Sequence, residues 1–136
     1  MMRRAMRGAI LAVLCGLAGC CTSYGRVATV AARGGQDSPK FIWLDTAVEE
    51  AVNQLDVTGR DKQSIDEAFT NLSVRSGSNA VGIVVDHQAS TIRIRWDRHN
   101  TIDFAAQVQT AIEREFSDKY HLQLRFEDVP CGWLGP

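Results

Sequence analysis

At 136 residues the chain has room for one small domain and not two. Fifteen lysines and arginines stand against sixteen acids, a formal net charge of −1, so the basic excess that a nucleic-acid binder needs is missing. Four cysteines and three histidines are few enough to weigh one by one.

The chain opens with a basic leader, Arg3, Arg4 and Arg7, and has no acid before Asp37. An apolar run over residues 8–16 follows; a basic, then apolar, then small-residue order is the layout of a secretory signal peptide. The run is too short to span a bilayer as a helix, which takes about 20 apolar residues. At its end stands Leu17-Ala18-Gly19-Cys20, which resembles the lipobox of bacterial lipoproteins. The resemblance implies cleavage before Cys20, a diacylglycerol on its thiol, and a further acyl chain such as palmitate on the new amine. Two or more chains hold a protein firmly where one gives only marginal binding. The resemblance also implies a place in the cell envelope. Cys21, where an acid would commonly retain such a protein in the inner membrane, favours the outer membrane and a domain facing the periplasm. Without residues 1–19, twelve basic residues face sixteen acids, a balance of −4 that offers no second, electrostatic hold on the membrane. Cys15 leaves with the leader. Cys21 and Cys131 remain as candidate disulfide partners in an oxidising compartment, or as a linker residue and a buried or free thiol.

Residues 20–39 read as a lipidated, flexible tether, rich in Gly, Ser, Thr and Gln, with a root-mean-square span of roughly 25 Å. Within it the brief apolar stretch over 27–32 reads either as tether or as a short strand packed on the domain. The domain itself is expected over 40–136. Residues 41–44 are a short buried strand or a lead-in to a helix, in which Thr46 and Glu49 form a capping box and Val48, Ala51, Val52 and Leu55 share a face. Ser64 with Glu67 repeats the capping box, and Ile65, Ala68, Phe69 and Leu72 repeat the spacing, which predicts a second helix ending at the turn cluster 76–79. Residues 80–85 are a β-branched run, 86–90 a hairpin connection, and 91–96 an alternating strand. Asn100 with Asp103 caps a third helix with a stripe of Ala105, Val108, Ile112 and Phe116; residues 120–126 alternate as a last strand. The fold class expected is α+β, a two-layer sandwich of a small three- or four-stranded sheet packed by two or three helices.

No catalytic set emerges, and the chain is expected to be no enzyme and to need no cofactor or metal. His87, His99 and His121 share no ligand spacing with one another or with Glu or Cys. The carboxylate pairs Glu49–Glu50 and Glu113–Glu115 sit in like, solvated settings, whereas acid–base work needs unlike ones. Arg93, Arg95 and Arg98 form a small basic strip, either a solvated sheet face or a dock for an acidic partner or anionic envelope polymer. Trp133 and Leu134 in the tail either cap the core edge or form a partner contact.

Residues 64–128 resemble, in pattern, the short N-terminal domain of secretins and TonB-dependent receptors. The order runs through Ser64-Ile65-Asp66-Glu67-Ala68-Phe69, then Asn79-Ala80-Val81-Gly82-Ile83-Val84-Val85-Asp86, Thr91-Ile92-Arg93-Ile94 and Thr101-Ile102-Asp103-Phe104-Ala105. Such domains are protein-docking modules of the periplasm. The resemblance implies a membrane-anchored docking or structural module with an envelope protein as partner. The rival expectation is a ligand-binding or hydrolytic lipoprotein with a site near His87, His99, Arg93 and Arg95.

Overall fold

The computed structural model describes residues 23–30, 40–64 and 68–129. In chain order they form β1 (Tyr24–Thr29), α1 (Lys40–Asn53), β2 (Gly59–Ser64), β3 (Phe69–Ser76), β4 (Asn79–Asp86) and β5 (Thr91–Trp96). A 3-10 turn (His99–Thr101), α2 (Ile102–Tyr120) and β6 (Glu127–Val129) follow. The described strands make one antiparallel sheet in the order β2-β3-β4-β5-β1-β6. β2 to β5 are a meander; β1 lies against the outer side of β5, and β6 against β1.

One face of this sheet is apolar by strict alternation. Leu72 and Val74 of β3, Val81, Ile83 and Val85 of β4, and Ile92, Ile94 and Trp96 of β5 are all buried on it. α1 brings Leu44, Ala47, Val48, Ala51 and Val52 to the same core, and α2 brings Phe104, Ala105, Val108, Ala111, Ile112 and Phe116. Both sets fall at i, i+3, i+4, i+7, one stripe of a helix. The opposite sheet face carries Asn71, Ser73, Arg75, Gly82, Val84, Arg93 and Arg95, half-buried or exposed. Among the described residues no helix covers it.

The expected fold class is corrected on this evidence: the sheet has six strands rather than three or four, and two helices accompany it. The expected second helix is the main error. Thr70, Leu72 and Val74 are buried while Ser73 and Arg75 are exposed, a period of two that makes this segment β3. The competing helical spacing, through Ile65 and Ala68, ended at the same Leu72 and so hid it. The turn at 76–79 is a hairpin, not a helix end: Ser76 pairs with Asn79, and Gly77 takes φ 61° at the first central position of the two-residue loop. Glycine adopts that conformation without Cβ strain.

Three smaller differences follow from pairing rather than from polarity. Tyr24–Thr29, inside the stretch read as tether, forms β1, with Ala28 buried and Gly25 opposite Arg95. Residues 41–44 lie within α1 and not in a strand. The expected last strand begins too early: α2 runs on to Tyr120, whose ring packs on Trp43 at 5.2 Å and Phe116 at 5.7 Å. His121 then takes the left-handed conformation, and its N–H and that of Leu122 both close onto the Phe116 carbonyl, which ends the helix. Residues 121–126 still alternate, with Leu124 buried, but they form no ladder; β6 starts only at Glu127.

A polar seam joins the two helices. Lys119 Nζ lies 2.6 Å from Glu50 Oε2 and 2.7 Å from Glu115 Oε1, while Gln54 Nε2 donates to Glu115 Oε2 at 2.8 Å. Glu115 is buried, so these partners satisfy a carboxylate that would otherwise be costly there. The Lys119 ammonium holds the Glu50 carboxyl below its usual range, and Glu115 and Glu50 together raise Lys119 above the usual lysine value.

Candidate functional site

The three places where polar and aromatic side chains gather lie on different parts of the fold. The first is buried under α1. Thr70 on β3 donates its hydroxyl to Asp45 Oδ2 at 2.9 Å, and its Oγ1 lies 3.1 Å from His87 Nε2. Asp45 Oδ1 lies 3.1 Å from the same His87 nitrogen. A hydroxyl has one proton, and Asp45 receives it, so the proton between Thr70 and His87 belongs to the imidazole Nε2. A nucleophile–base–carboxylate relay needs the hydroxyl on one ring nitrogen and the acid on the other. Here both meet Nε2, and Thr70 cannot hand its proton to a nitrogen that already carries one.

The cluster ties α1 to β3 and to the turn after β4, where His87 N–H also donates to the Ala68 carbonyl. Thr70→Val keeps the shape and removes the hydroxyl, and is expected to lower unfolding free energy by about 1 kcal/mol. Asp45→Ala leaves a buried imidazole N–H without its carboxylate and is expected to cost about 1–3 kcal/mol. Urea unfolding of the two variants checks this; losses indistinguishable from zero would show that the cluster does not hold α1.

The second place is the uncovered sheet face. Arg93 and Arg95 of β5 stand on it beside Val84 and Gly82 of β4. A Cβ added at Gly82 would meet Arg95 Cγ and Nε at 3.5 Å, so the bare glycine forms the bed along which that side chain lies. Asp61, Gln63, Asn71, Ser73 and Arg95 line a shallow groove of about 230 Å³ there. Arg98, the third member of the expected strip, is exposed beyond the end of β5.

The third place is the end of the sheet where β1 begins and β5 stops. Tyr24 pairs with Trp96 and stacks on it, ring centroids 6.0 Å apart at 18°. The Arg26 guanidinium stands 5.6 Å from the Trp96 ring centre and is held by Asp128 at 3.1 Å and Gln109 at 2.7 Å. His99 tilts against Tyr24 at 5.9 Å. Trp96 is buried, and its indole N–H has no acceptor among the described residues.

The structure therefore separates what the rival expectation joined. His87 lies beyond the last residue of β4 and His99 beyond the last residue of β5, and antiparallel pairing puts those at opposite ends of the sheet. Arg93 and Arg95 point to the face away from the His87 cluster. His121 ends α2 and is exposed. Among the described residues no group of three or more His, Cys, Asp or Glu could hold a metal ion. Cys20, Cys21, Cys131, Trp133 and Leu134 lie outside the described residues. Asp45 and Thr70 escaped the sequence reading because neither carries a motif. The available signal was Thr70 in step with Leu72 and Val74, a hydroxyl on an otherwise apolar face.

No protein-family model and no curated protein matches the chain. Among solved structures it is similar to the adenosylmethionine decarboxylase from Aquifex aeolicus VF5, at 12% identity and a TM-score of 0.44, covering 85% of this chain and 94% of that one. That neighbour is named as an enzyme, and the expectation that this chain is no enzyme is withdrawn on that account. A likeness of this strength assigns the chain neither an activity nor a substrate.

Proposed function

We propose that the chain is a lipid-anchored lipoprotein of the cell envelope whose single domain docks another envelope protein, with the outer membrane and the periplasm as its place. The observation that carries the reading is the order basic leader, apolar run, Leu17-Ala18-Gly19-Cys20, standing directly ahead of the folded β1. On this reading the acyl chains on Cys20 supply the attachment to the membrane. The docking part of the reading is supported by the uncovered sheet face. Arg95, lying along the Gly82 bed on this face, suits an acidic surface, since a guanidinium pairs with a carboxylate in two-pronged fashion. A disulfide between Cys21 and Cys131 would tie the two ends of the mature chain together.

The test is a crosslinking capture of the natively lipidated protein from intact cells, beside an Arg93→Ala/Arg95→Ala copy and a Cys20→Ala copy. One envelope protein is expected with the wild type, with at least a tenfold loss in either variant. Capture of nothing by the wild type would remove the docking reading. Capture unchanged by the arginine variant would remove the sheet face from it.

A further inference from the structure

The tether expected from composition ran to residue 39, but the structure starts the sheet at Tyr24. Only Cys21 and Thr22 separate Cys20 from Ser23, the first described residue and a buried one. Three chain steps of 3.8 Å reach at most about 11 Å. On the lipoprotein reading above, the Cys20 sulfur sits where acyl chains meet headgroups, and the headgroup layer is itself roughly 5–8 Å deep. A leash that short cannot let the domain float. It fixes which end of the sheet faces the lipid.

That end is chemically distinct. It carries the start of β1, the end of β5 and the start of α2, because β1 and β5 are antiparallel and Tyr24 pairs with Trp96. Two large hydrophobic residues stand out as exposed among the described residues, Tyr24 at 39% and Ile102 at 38%, and both are here. Tyr24 overlies Trp96 and touches His99. An aromatic ring with a polar tip and an aliphatic side chain, both exposed at one end of a domain, is a composition that settles at a membrane–water interface. Exposed charges of both signs stand at this end, Arg60, Arg75 and Arg98 with Asp97, Asp103 and Asp128, so among the described residues it carries no single-sign basic patch for anionic lipid.

We infer that the Tyr24–Ile102 end of the domain lies against the bilayer surface, pressed there by the Cys20–Ser23 leash, with Tyr24 and Ile102 in the headgroup layer. The opposite end, with the β4–β5 turn over residues 87–90, then points away from the membrane. The eight residues of β4 set the two ends about 25 Å apart, and the sheet face that no described helix covers stands upright between them.

The test places a photoreactive p-benzoylphenylalanine at Ile102 and, in a second chain, at the exposed Ala89 of the far turn, both in the full lipidated protein in intact cells. Phospholipid adducts are expected at position 102 at least fivefold above position 89. Equal yields, or an adduct dominated by one protein at 102, would overturn the inference, the latter making this end a protein interface. Inserting about twenty Gly/Ser residues between Thr22 and Ser23 is expected to lower the lipid adducts at 102 about tenfold, as the effective concentration falls with leash length. An unchanged yield would overturn the leash as the cause. The mass of the same protein reports acylation of Cys20. A chain without acyl groups overturns the lipoprotein reading itself, whereas an acylated chain without lipid adducts at 102 overturns only the orientation.

Discussion

Phe116→Ala is expected to remove about 3–5 kcal/mol of unfolding free energy, the range for deleting a fully buried aromatic side chain. Small domains hold about 5–15 kcal/mol in total, so this one change takes the protein close to its folding threshold. The size follows from position. Phe116 is fully buried on α2, and its ring meets Trp43 of α1 at 5.8 Å and Tyr120 at 5.7 Å, both tilted. Losing the ring opens a cavity between the two helices and breaks both edge contacts at once. Collapse of the gap is resisted, because Glu115 and Lys119, on the flanking turn, are fixed to Gln54 and Glu50 across the same interface. A thermal melt is the measurement: a fall of roughly 15 °C or more is expected. Phe116→Leu, which keeps most of the volume, is expected to lose much less. A fall under 3 °C for Phe116→Ala would mean that α2 does not close the core as described.

The two helices and the β4–β5 hairpin were legible because each carries one uninterrupted period. Leu44, Val48 and Val52 repeat through α1, Val108, Ile112 and Phe116 through α2, and Ile92, Ile94 and Trp96 alternate through β5. β3 was misread because 65–72 fits the helical spacing and 70–76 fits the strand spacing, and the two windows overlap. Local pattern cannot choose between them; the choice is made by β4, whose Ile83 and Val81 pair with Leu72 and Val74. β1 and β6 were legible only with shifted bounds, as a short strand over 27–32 within the tether and a last strand over 120–126, for a related reason. They are six and three residues long, β6 at the edge of the sheet and β1 beside it, so pairing defines their limits more than polarity does.

The polar cluster under α1 was illegible for a different reason. Asp45, Thr70 and His87 are 25 and 17 residues apart along the chain, and neither separation is a period of helix or strand. Each residue alone reads as an exposed polar side chain. Only the fold, which closes the end of β4 beneath α1, makes them one buried unit. The basic strip fared better, since Arg93 and Arg95 are two apart on one strand and must share a face. Arg98 lies past the strand end, where alternation no longer predicts direction.

Cys20→Ala is expected to abolish incorporation of labelled palmitate and to remove the mature protein from washed membranes. Each acyl chain of palmitate length buries about fifteen methylenes at about 0.8 kcal/mol apiece, so two or three chains make release negligible and their loss complete. The fold contributes nothing comparable. Tyr24 and Ile102 alone are too little apolar surface to hold a domain of charge −4 on a bilayer without the anchor. The variant should therefore switch compartment while keeping its melting temperature, because Ser23 is the first described residue and the core starts at Ala28. A joint measurement of palmitate label and thermal melt separates the two properties. Label lost with the melt unchanged places the anchor at Cys20 and outside the folded unit. Label retained on the variant would put the lipid elsewhere and undo the lipobox reading. Label lost together with a large fall in melting temperature would mean that the leash is part of the fold, and that the eleven-ångström limit binds the domain through packing as well as through chain length.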